Sequence, residues 1–532
     1  MRRTLHLLAA LLFGTFLVQA AFSWVLAPAA TYRARPHGQL TFYGHIGDRV
    51  ARAAADHAPD ALLAVTQSGP RAGAAAAAGG VAPDRAWHIR RAEREVAAAL
   101  GGDLVAPDWF MDAYAWPLLI ATLLAGLALL LLARGRTEPD EGTVVLVRRW
   151  GVAYILAMAW AMPVLVPDFW LSFAWGRTLW WGGNPYYDVP AAAVAGLPFD
   201  APILRMTYGP LWALLSWGVT AVTHGSVLWS AVLFKAILVA AWIGILWLVS
   251  QLLADRPARQ RAMALVTVAW MPLGAVQIGG DGHNDAVMVF FLLAWLLLRS
   301  RGHRRWATAA LACSVSVKYV TAPLFLVDAW PEQAWPLAWR DLLARVRSYL
   351  PNAAIAVAIW LVTFAPFVDS VTFFRETTAV REGYFFLPAD GIKAIGALAG
   401  VNLRPLAYAV QLLFPVATVV TLWRFCRTPD MAASRVAVAG IMLSVLFIAA
   451  AHVWPWYVLW LLLPAILLPS RHLLRRWATG VWLTAPFPLM VWTAWPDAGE
   501  FQRFELPSLV AYTAALAWML LGWRAVEPRR SA

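Results

Sequence analysis

The stretch YAWPLLIATLLAGLALLLLAR, residues 114–134, decides the class of fold. It carries no charged residue between Tyr114 and Arg134, and it reaches the length of about 20 residues that a helix needs to cross a bilayer. In hydrocarbon every backbone polar group must be paired within the protein, and the stretch lacks the strict alternation of a barrel strand. It therefore predicts a transmembrane helix.

Similar runs recur along the whole chain, which is 61% hydrophobic and only 14% charged. We expect an all-α polytopic membrane protein, a helical bundle of about 12 spans. The predicted spans lie near residues 4–26, 114–134, 149–167, 228–252, 262–279, 286–299, 351–368, 405–426, 433–452, 456–470, 477–494 and 507–524.

Two further apolar runs do not fit as full spans. The run 209–223 is too short to cross, and it predicts an interfacial or re-entrant helix. The run 306–328 has basic clusters at both ends and Lys318 in its middle, so it must begin and end on the same side. A broken hairpin of two half-helices satisfies both facts.

The positions of the arginines set the orientation of the chain. The net charge of +13 would suggest nucleic acid as a partner of a soluble protein, but here the arginines lie at the ends of apolar runs. Clusters around Arg136, Arg259, Arg304 and Arg475 alternate with segments that hold few basic residues. The positive-inside rule places these clusters in the cytoplasm and Asp168 on the opposite face, and no nucleic acid is expected.

The chain divides into three parts. Residues 1–26 have the basic start and apolar run of either a signal anchor or a cleaved signal peptide. Residues 27–112 form an Ala-rich extracytoplasmic insert in which we find no chemistry, and residues 113–530 form the membrane domain.

Polar motifs gather where the apolar runs reach the outer face. Asp168 directly follows the predicted span 149–167, and the sequences Gly-Gly-Asn-Pro-Tyr at 182–186 and Thr-Tyr-Gly-Pro-Leu at 207–211 come after it. The apex of the hairpin 262–299 reads Gly-Gly-Asp-Gly-His-Asn-Asp at 279–285. Polar groups at a membrane boundary cost free energy unless they are used, so these motifs predict a functional site on one face.

Other candidates lie in later segments of the chain. His452 precedes the cluster Trp454-Pro455-Trp456-Tyr457, which suits a lipid headgroup or a sugar as well as a plain interfacial position. Lys318 would neutralise an anion, reach to water or pair with Asp328. Arg375 and Arg381 lie in an outer loop, where an arginine can contact a phosphate.

A divalent metal is the alternative reading of two carboxylates at the apex. Asp281 and Asp285 are separated by three residues, a spacing that is only weak evidence for ligands. We expect a site without a metal, with these two residues as the alternative ligands.

Six of these motifs, in this order, resemble the GT-C superfamily of membrane glycosyltransferases over roughly residues 145–470. They are Asp168, Gly-Gly-Asn-Pro-Tyr at 182–186, Tyr-Gly-Pro-Leu at 208–211, the 271–288 segment with His283-Asn284-Asp285, Val-Lys at 317–318, and Trp-Pro-Trp-Tyr-Val-Leu-Trp at 454–460. The sequences of these motifs and their order are most similar to those of the bacterial polyprenyl-phosphate-mannose-dependent mannosyltransferases.

The resemblance implies an inverting transfer of a single sugar, with mannose favoured, from a polyprenyl-phosphate donor to an extracytoplasmic glycan or lipid. Such a hexosyl or pentosyl transferase would work in the bacterial plasma membrane, without a cofactor. Asp168 would be the general base. The substrate-binding residues would be Asn184, Tyr186, Tyr208, His283, Asn284, Asp285, Lys318, Arg375, Arg381, His452, Trp456 and Tyr457.

Two other functions compete with this prediction. A polytopic transporter would place Asp168, Asp285 or Lys318 along a substrate path, but its polar residues would then be expected at the midplane. A ligase or polymerase of lipid-linked glycans would transfer a whole glycan in place of one sugar. Transport by the purified protein in liposomes, without glycosyl transfer, would identify a transporter, and the size of the transferred unit distinguishes a ligase or polymerase.

Overall fold

A computed structural model describes residues 1–29, 108–163, 168–187, 189–194, 205–330, 339–368, 387–449, 453–494 and 506–521. Helices make up most of these residues, and no strand occurs among them. The predicted class, an all-α polytopic membrane protein, is confirmed. Most of the predicted insert 27–112 lies outside the described residues.

Three helices form the N-terminal part of the bundle. They are α1 (Arg2–Ala29), α2 (Asp108–Arg134) and α3 (Glu141–Ala159). Helix α1 packs against both α2 and α3, where the Tyr154 hydroxyl donates a hydrogen bond to the carbonyl of Ala9 at 3.1 Å. The first apolar run is therefore an integral part of the helical packing.

Helix α3 corrects the predicted span 149–167. It begins at Glu141 because the Asp140 carboxylate caps it, accepting a hydrogen bond from the Thr143 amide at 2.8 Å, and it ends at Ala159. Pro163 and Pro167 follow, and proline disfavours helix both at its own position and before it. Asp168 therefore begins a separate helix, α4 (Asp168–Trp180), and does not end a span.

The middle of the chain supplies the rest of the bundle around the site. The elements are α5 (Ala191–Val194), α6 (Pro210–Val222), α7 (Val227–Leu252), α8 (Ala258–Ala269), α9 (Asp285–Ser300), α10 (Arg304–Val317), α11 (Phe325–Ala329) and α12 (Trp339–Phe364). With only 13 residues, α6 is too short to cross a bilayer, as the sequence predicts for the run 209–223.

The predicted span 262–279 is broken. Helix α8 is followed by the turn Pro272–Gly274 and the π-helix Ala275–Gly280, and the two halves are bent by 48°. π-helical turns are uncommon and occur often at functional sites. This one leads directly into the apex Asp281–Asp285.

The run 306–328 forms the expected broken hairpin. Helix α10 ends at Lys318, whose backbone is extended, and a 3₁₀-helix (Tyr319–Leu324) continues into α11. The Thr308 hydroxyl donates to the Asp328 carboxylate at 2.6 Å, so the end of the second half returns to the start of the first. The chain reverses at Lys318.

The C-terminal part packs against both earlier groups. Its elements are α13 (Pro388–Ala399), α14 (Arg404–Gln411), α15 (Leu413–Arg427), α16 (Met431–Ser444), the π-helix Val445–Ala449, the 3₁₀-helix Pro455–Tyr457, α17 (Val458–Ile466), α18 (Leu473–Thr484), α19 (Pro486–Ala494) and α20 (Leu506–Leu521). Helix α17 contacts α9, which places the Trp454–Trp460 segment beside the apex.

Six helical stretches among the described residues are long and apolar enough to cross a membrane, or seven with the bent pair; one of the six is Arg404–Arg427, which comprises α14 and α15. The remaining predicted spans correspond to shorter helices, among them α9, α16, α17 and α20. The count of about 12 spans stays a prediction.

Candidate active site

Asp168 lies at the first position of α4, with its side chain 25% exposed. The Tyr208 hydroxyl donates a hydrogen bond to Oδ2 of Asp168 at 2.8 Å, and His283 Nδ1 lies 3.6 Å from the same oxygen. No hydrogen bond from the described residues reaches Oδ1. One carboxylate oxygen is therefore fixed by the protein while the other is left for a further partner.

The apex reaches Asp168 because of one glycine. Gly282 has a positive φ of 77°, a conformation that costs glycine nothing, and a Cβ at this position would overlap the ring of Phe169. Phe169 is the neighbour of Asp168 in the chain. The close approach of the two segments brings His283 against the Asp168 carboxylate.

A second close approach positions Tyr208. The Gly209 amide donates to the carbonyl of Val317 at 2.9 Å, and a Cβ on Gly209 would overlap the Ser316 carbonyl. The Tyr186 hydroxyl donates to the carbonyl of Tyr208 at 2.8 Å. The Tyr208 loop is thus held on both sides, next to the break at Lys318.

Asn184 and Tyr186 use their polar atoms to hold this loop in place. The Asn184 side chain accepts a hydrogen bond from the Tyr186 amide at 3.1 Å and donates to the Phe367 carbonyl at 2.8 Å. Tyr186 is 1% exposed, and its ring packs edge-on against Phe367. Direct contact of these two residues with a substrate stays a prediction.

Lys318 pairs with Asp285, and the suggested pairing with Asp328 is wrong. Its Nζ donates to Asp285 Oδ1 at 2.9 Å and lies 4.3 Å from the ring centroid of Tyr457, 4.7 Å from that of Trp460 and 5.1 Å from that of Tyr208. A desolvated ammonium gains from aromatic faces and from a carboxylate. The break in the hairpin therefore places the Lys318 ammonium in the site, where a carboxylate and three aromatic rings surround it.

Trp456 closes the site from the α17 side. Its ring lies 4.2 Å from that of His283 on one side and 5.0 Å from that of Trp454 on the other, centroid to centroid. Because Trp456 is 2% exposed and covered by two rings, it fixes the imidazole plane of His283.

Several buried polar atoms around His283 have no hydrogen-bond partner among the described residues. They are His283 Nε2, both amide atoms of Asn284, Asp285 Oδ2 and Trp456 Nε1. Burying such groups without partners costs about 1–3 kcal/mol each. Their concentration beside Asp168 is the pattern of a site that awaits a polar ligand.

The surroundings of Asp168 keep it ionised. Burial opposes the charged form, but the contact and charge of His283, the hydrogen bond from Tyr208 and the charge of Lys318 outweigh it, and the pKa of Asp168 lies below its usual value. The N-terminus of α4 adds a favourable dipole. A carboxylate that is charged at neutral pH can accept a proton.

Two residues near the site were missed in the sequence. Trp460 donates its indole N–H to Asp285 Oδ1, and its place in the same aromatic motif as Trp456 and Tyr457, at 454–460, was the available signal. Lys235 interrupts the most apolar part of α7, where an ionisable residue by itself indicates a function.

Three predicted residues, Arg375, Arg381 and His452, lie outside the described residues. Of the alternative metal ligands, Asp285 is engaged by Lys318 and Trp460, and Asp281 interacts electrostatically with Lys235. Within the described ranges, no group of three His, Cys, Asp or Glu side chains could hold a metal ion.

A partly exposed carboxylate beside buried polar groups that lack partners among the described residues, in a helical membrane bundle, is the arrangement expected of a membrane glycosyltransferase. Residues 78–331 match the model of the MptA_B family, alpha-(1->6)-mannopyranosyltransferase, N-terminal domain. The match confirms the resemblance to GT-C mannosyltransferases of this type. No curated protein matches the chain.

Proposed function

We propose that the protein transfers a single mannose from a polyprenyl-phosphate donor to a hydroxyl of an extracytoplasmic glycan or glycolipid, with inversion. The observation that supports this proposal is the unequal pairing of the two Asp168 carboxylate oxygens. Oδ2 contacts Tyr208 and His283, while Oδ1 accepts no hydrogen bond from the described residues. Oδ1 is the atom that we assign as the general base.

In the proposed reaction the acceptor hydroxyl binds to Asp168 Oδ1 and loses its proton to this oxygen as it attacks. The new bond joins the acceptor oxygen to the anomeric carbon of mannose, and the bond from that carbon to the phosphate oxygen breaks. The electron pair leaves with the polyprenyl phosphate. A positioned base of this kind contributes about 10²–10⁴-fold to rate.

The stereochemistry restricts the donor. The matched family is described by an alpha-(1->6) linkage, and we propose the same linkage here. Because a single displacement inverts the anomeric centre, an alpha product requires a beta-linked mannosyl phosphate. Asn284 and His283 Nε2, which lack partners among the described residues, are proposed to bind hydroxyls of the sugar.

The charge on the leaving phosphate needs a cation or dipole nearby. Lys318 was one candidate from the sequence, but its ammonium already binds Asp285 and is only 7% exposed. We propose that Lys318 acts through its charge on Asp168 and Asp285, and that Arg375, Arg381 or His452 meets the phosphate.

The proposal of a lipid-linked mannose donor is tested with purified protein, a beta-mannosyl-phospho-polyprenol and an octyl alpha-mannoside acceptor, with and without EDTA. We expect alpha-mannosyl product, little effect of EDTA, and no product when a nucleotide sugar replaces the lipid donor. Transfer from the nucleotide sugar alone would contradict the lipid donor. Loss of activity in EDTA with recovery in Mg²⁺ would contradict metal independence.

The sidedness is tested with single cysteines after Cys313 and Cys426 are replaced by serine. Trp181 and Arg301 are both exposed, at the site end and at the basic end of the bundle. In cells, Trp181→Cys should react with an impermeant maleimide and Arg301→Cys should not. The reverse pattern would place the site in the cytoplasm.

A further inference from the structure

Lys235 lies inside the apolar helix α7 and is 8% exposed. Its Nζ donates hydrogen bonds to the backbone carbonyls of Ala161, at 2.8 Å, of Gly279, at 2.6 Å, and of Gly280. A lysine ammonium has as many N–H donors as there are carbonyls here, and it has no acceptor. Its donor capacity is thus fully used by backbone.

These carbonyls belong to the two places where the membrane helices break. Ala161 follows the end of α3, and Gly279 and Gly280 end the π-helix. Such a break leaves carbonyls without an intrahelical donor, which is tolerated at membrane depth only when the protein supplies one. Lys235 supplies it for both segments, and the Asp281 carboxylate balances its charge.

Both segments lead directly to the site. Ala161 lies shortly before Asp168 in the chain, and Gly280 lies shortly before His283. Gly279 and Gly280 also pack so closely on Ile155 and Met158 of α3 that a Cβ at Gly279 would not fit without a shift. One ammonium therefore joins the backbone that carries the carboxylate to the backbone that carries the imidazole.

We propose that Lys235 is a positioning residue that sets the distance between Asp168 and His283 by joining these two breaks. The catalytic consequence rests on the proposed function, whereas the backbone clamp itself does not. A misplacement of about 1 Å can cost on the order of 100-fold in rate, so the clamp should matter although Lys235 touches no substrate.

Three variants separate the clamp from simple charge balance. Lys235→Met removes the donors and the cation that faces Asp281, and Lys235→Arg keeps both donors and charge. Lys235→Met with Asp281→Asn removes the donors together with the charges of both residues. Arg299→Met, which removes an equally buried cation from the far end of α9, is the matched control.

The measurements are kcat, KM, the pH profile of mannose transfer and amide hydrogen exchange. Lys235→Met and the double variant should lower kcat about 100-fold with KM little changed, while Lys235→Arg recovers most of the rate. Among the described residues, the titratable groups that face Asp168 are His283, Tyr208, Lys318 and Tyr457. Because His283 would move away, the acidic limb of the profile should shift to higher pH in both Met variants.

If Lys235→Met fails to fold, the double variant Lys235→Met with Asp281→Asn tests the positioning role of Lys235. A double variant with wild-type rate and an unmoved acidic limb would overturn the proposal, since charge balance alone would then suffice. The same shift in Arg299→Met would overturn it too, because general loosening would explain it.

Hydrogen exchange distinguishes failure of the clamp from failure of the proposed function. Amides of residues 275–285 should exchange faster in the double variant than in the wild type, with no substrate present. Unchanged exchange would remove the clamp even if the enzyme transfers mannose. A wild-type protein that transfers no mannose, but whose double variant exchanges faster, would remove only the proposed function.

Discussion

Two buried carboxylate clusters lie at opposite ends of helix α9 and differ in how completely they are paired. At one end, Asp328 accepts hydrogen bonds from Trp295 at 2.8 Å, Thr308 at 2.6 Å and Tyr349 at 2.7 Å, and Arg299 lies 3.7 Å away. Both of its oxygens are satisfied. The Asp328 cluster therefore has the pairing of a structural network.

At the other end, the groups around Asp168 are left incomplete. Asp168 Oδ1 and the Asn284 amide lack hydrogen-bond partners among the described residues, although the same region holds the His283, Tyr208 and Lys318 contacts. Since buried polar groups are normally paired, the contrast teaches that pairing, more than burial or charge, separates a structural cluster from a site. The predictions below test this contrast.

The largest effect is expected for Asp168→Asn. The introduced amide cannot take up the proton of the attacking sugar hydroxyl. The value of kcat should therefore fall by about 10²–10⁴-fold, which corresponds to an increase in the activation barrier of about 3–5 kcal/mol. The melting temperature in detergent should stay near the wild-type value, because Oδ1 has no partner to lose among the described residues. Near-normal transfer at a normal protein level would refute the role of Asp168.

Asp328→Ala should give the opposite result. It leaves the buried guanidinium of Arg299 without its carboxylate, which should destabilise the fold by about 3 kcal/mol or more. Thermal unfolding followed by tryptophan fluorescence measures the loss, and kcat per folded molecule should be unchanged. A stable protein with impaired catalysis would mean that the Asp328 cluster belongs to the site.

Asn284→Leu sharpens the comparison further. The Asn284 amide is buried without a hydrogen-bond partner among the described residues, so its replacement by an apolar side chain should leave the melting temperature equal or raise it. Loss of a hydrogen bond to the sugar should lower kcat/KM about tenfold. Thr308→Val is the control, because it removes a satisfied bond and should lower stability without changing kcat/KM.

The smallest effect concerns pH. Tyr208 lowers the pKa of Asp168 by donating a hydrogen bond to the charged form, so Tyr208→Phe should raise that pKa. Activity needs ionised Asp168, is present above the pKa and is lost as pH falls through it. The acidic limb of the kcat/KM profile should therefore move to higher pH, and an unmoved limb would show that another group controls it.

Much of the fold was readable in the sequence, and the exceptions have physical causes. Hydropathy predicted the helical class, the short helix at 209–223 and the reversal at Lys318, because each depends on local length and charge. The span 149–167 was misplaced because its apolar character continues through Pro163, where the helix has already ended. Apolar composition records burial in lipid but not where a helix stops.

The motifs also predicted which polar residues gather at one end of the bundle, but not how they pair. Lys318 could have met Asp328, water or a phosphate, and only the packing of α10 against α9 selects Asp285. The position of Lys235 in an apolar helix was a signal in the sequence, but its partners could not be predicted, because they are backbone carbonyls, which carry no sequence signal.

By itself the sequence determined the membrane class and the residues available for chemistry, because hydropathy and residue type are local properties. The tertiary structure alone decided which oxygen of Asp168 lacks a partner among the described residues, which carboxylate binds Lys318 and which helix breaks Lys235 joins. The physical reason is that hydrogen bonds require atoms within about 3 Å of one another, and distant segments reach that separation only when the helices pack.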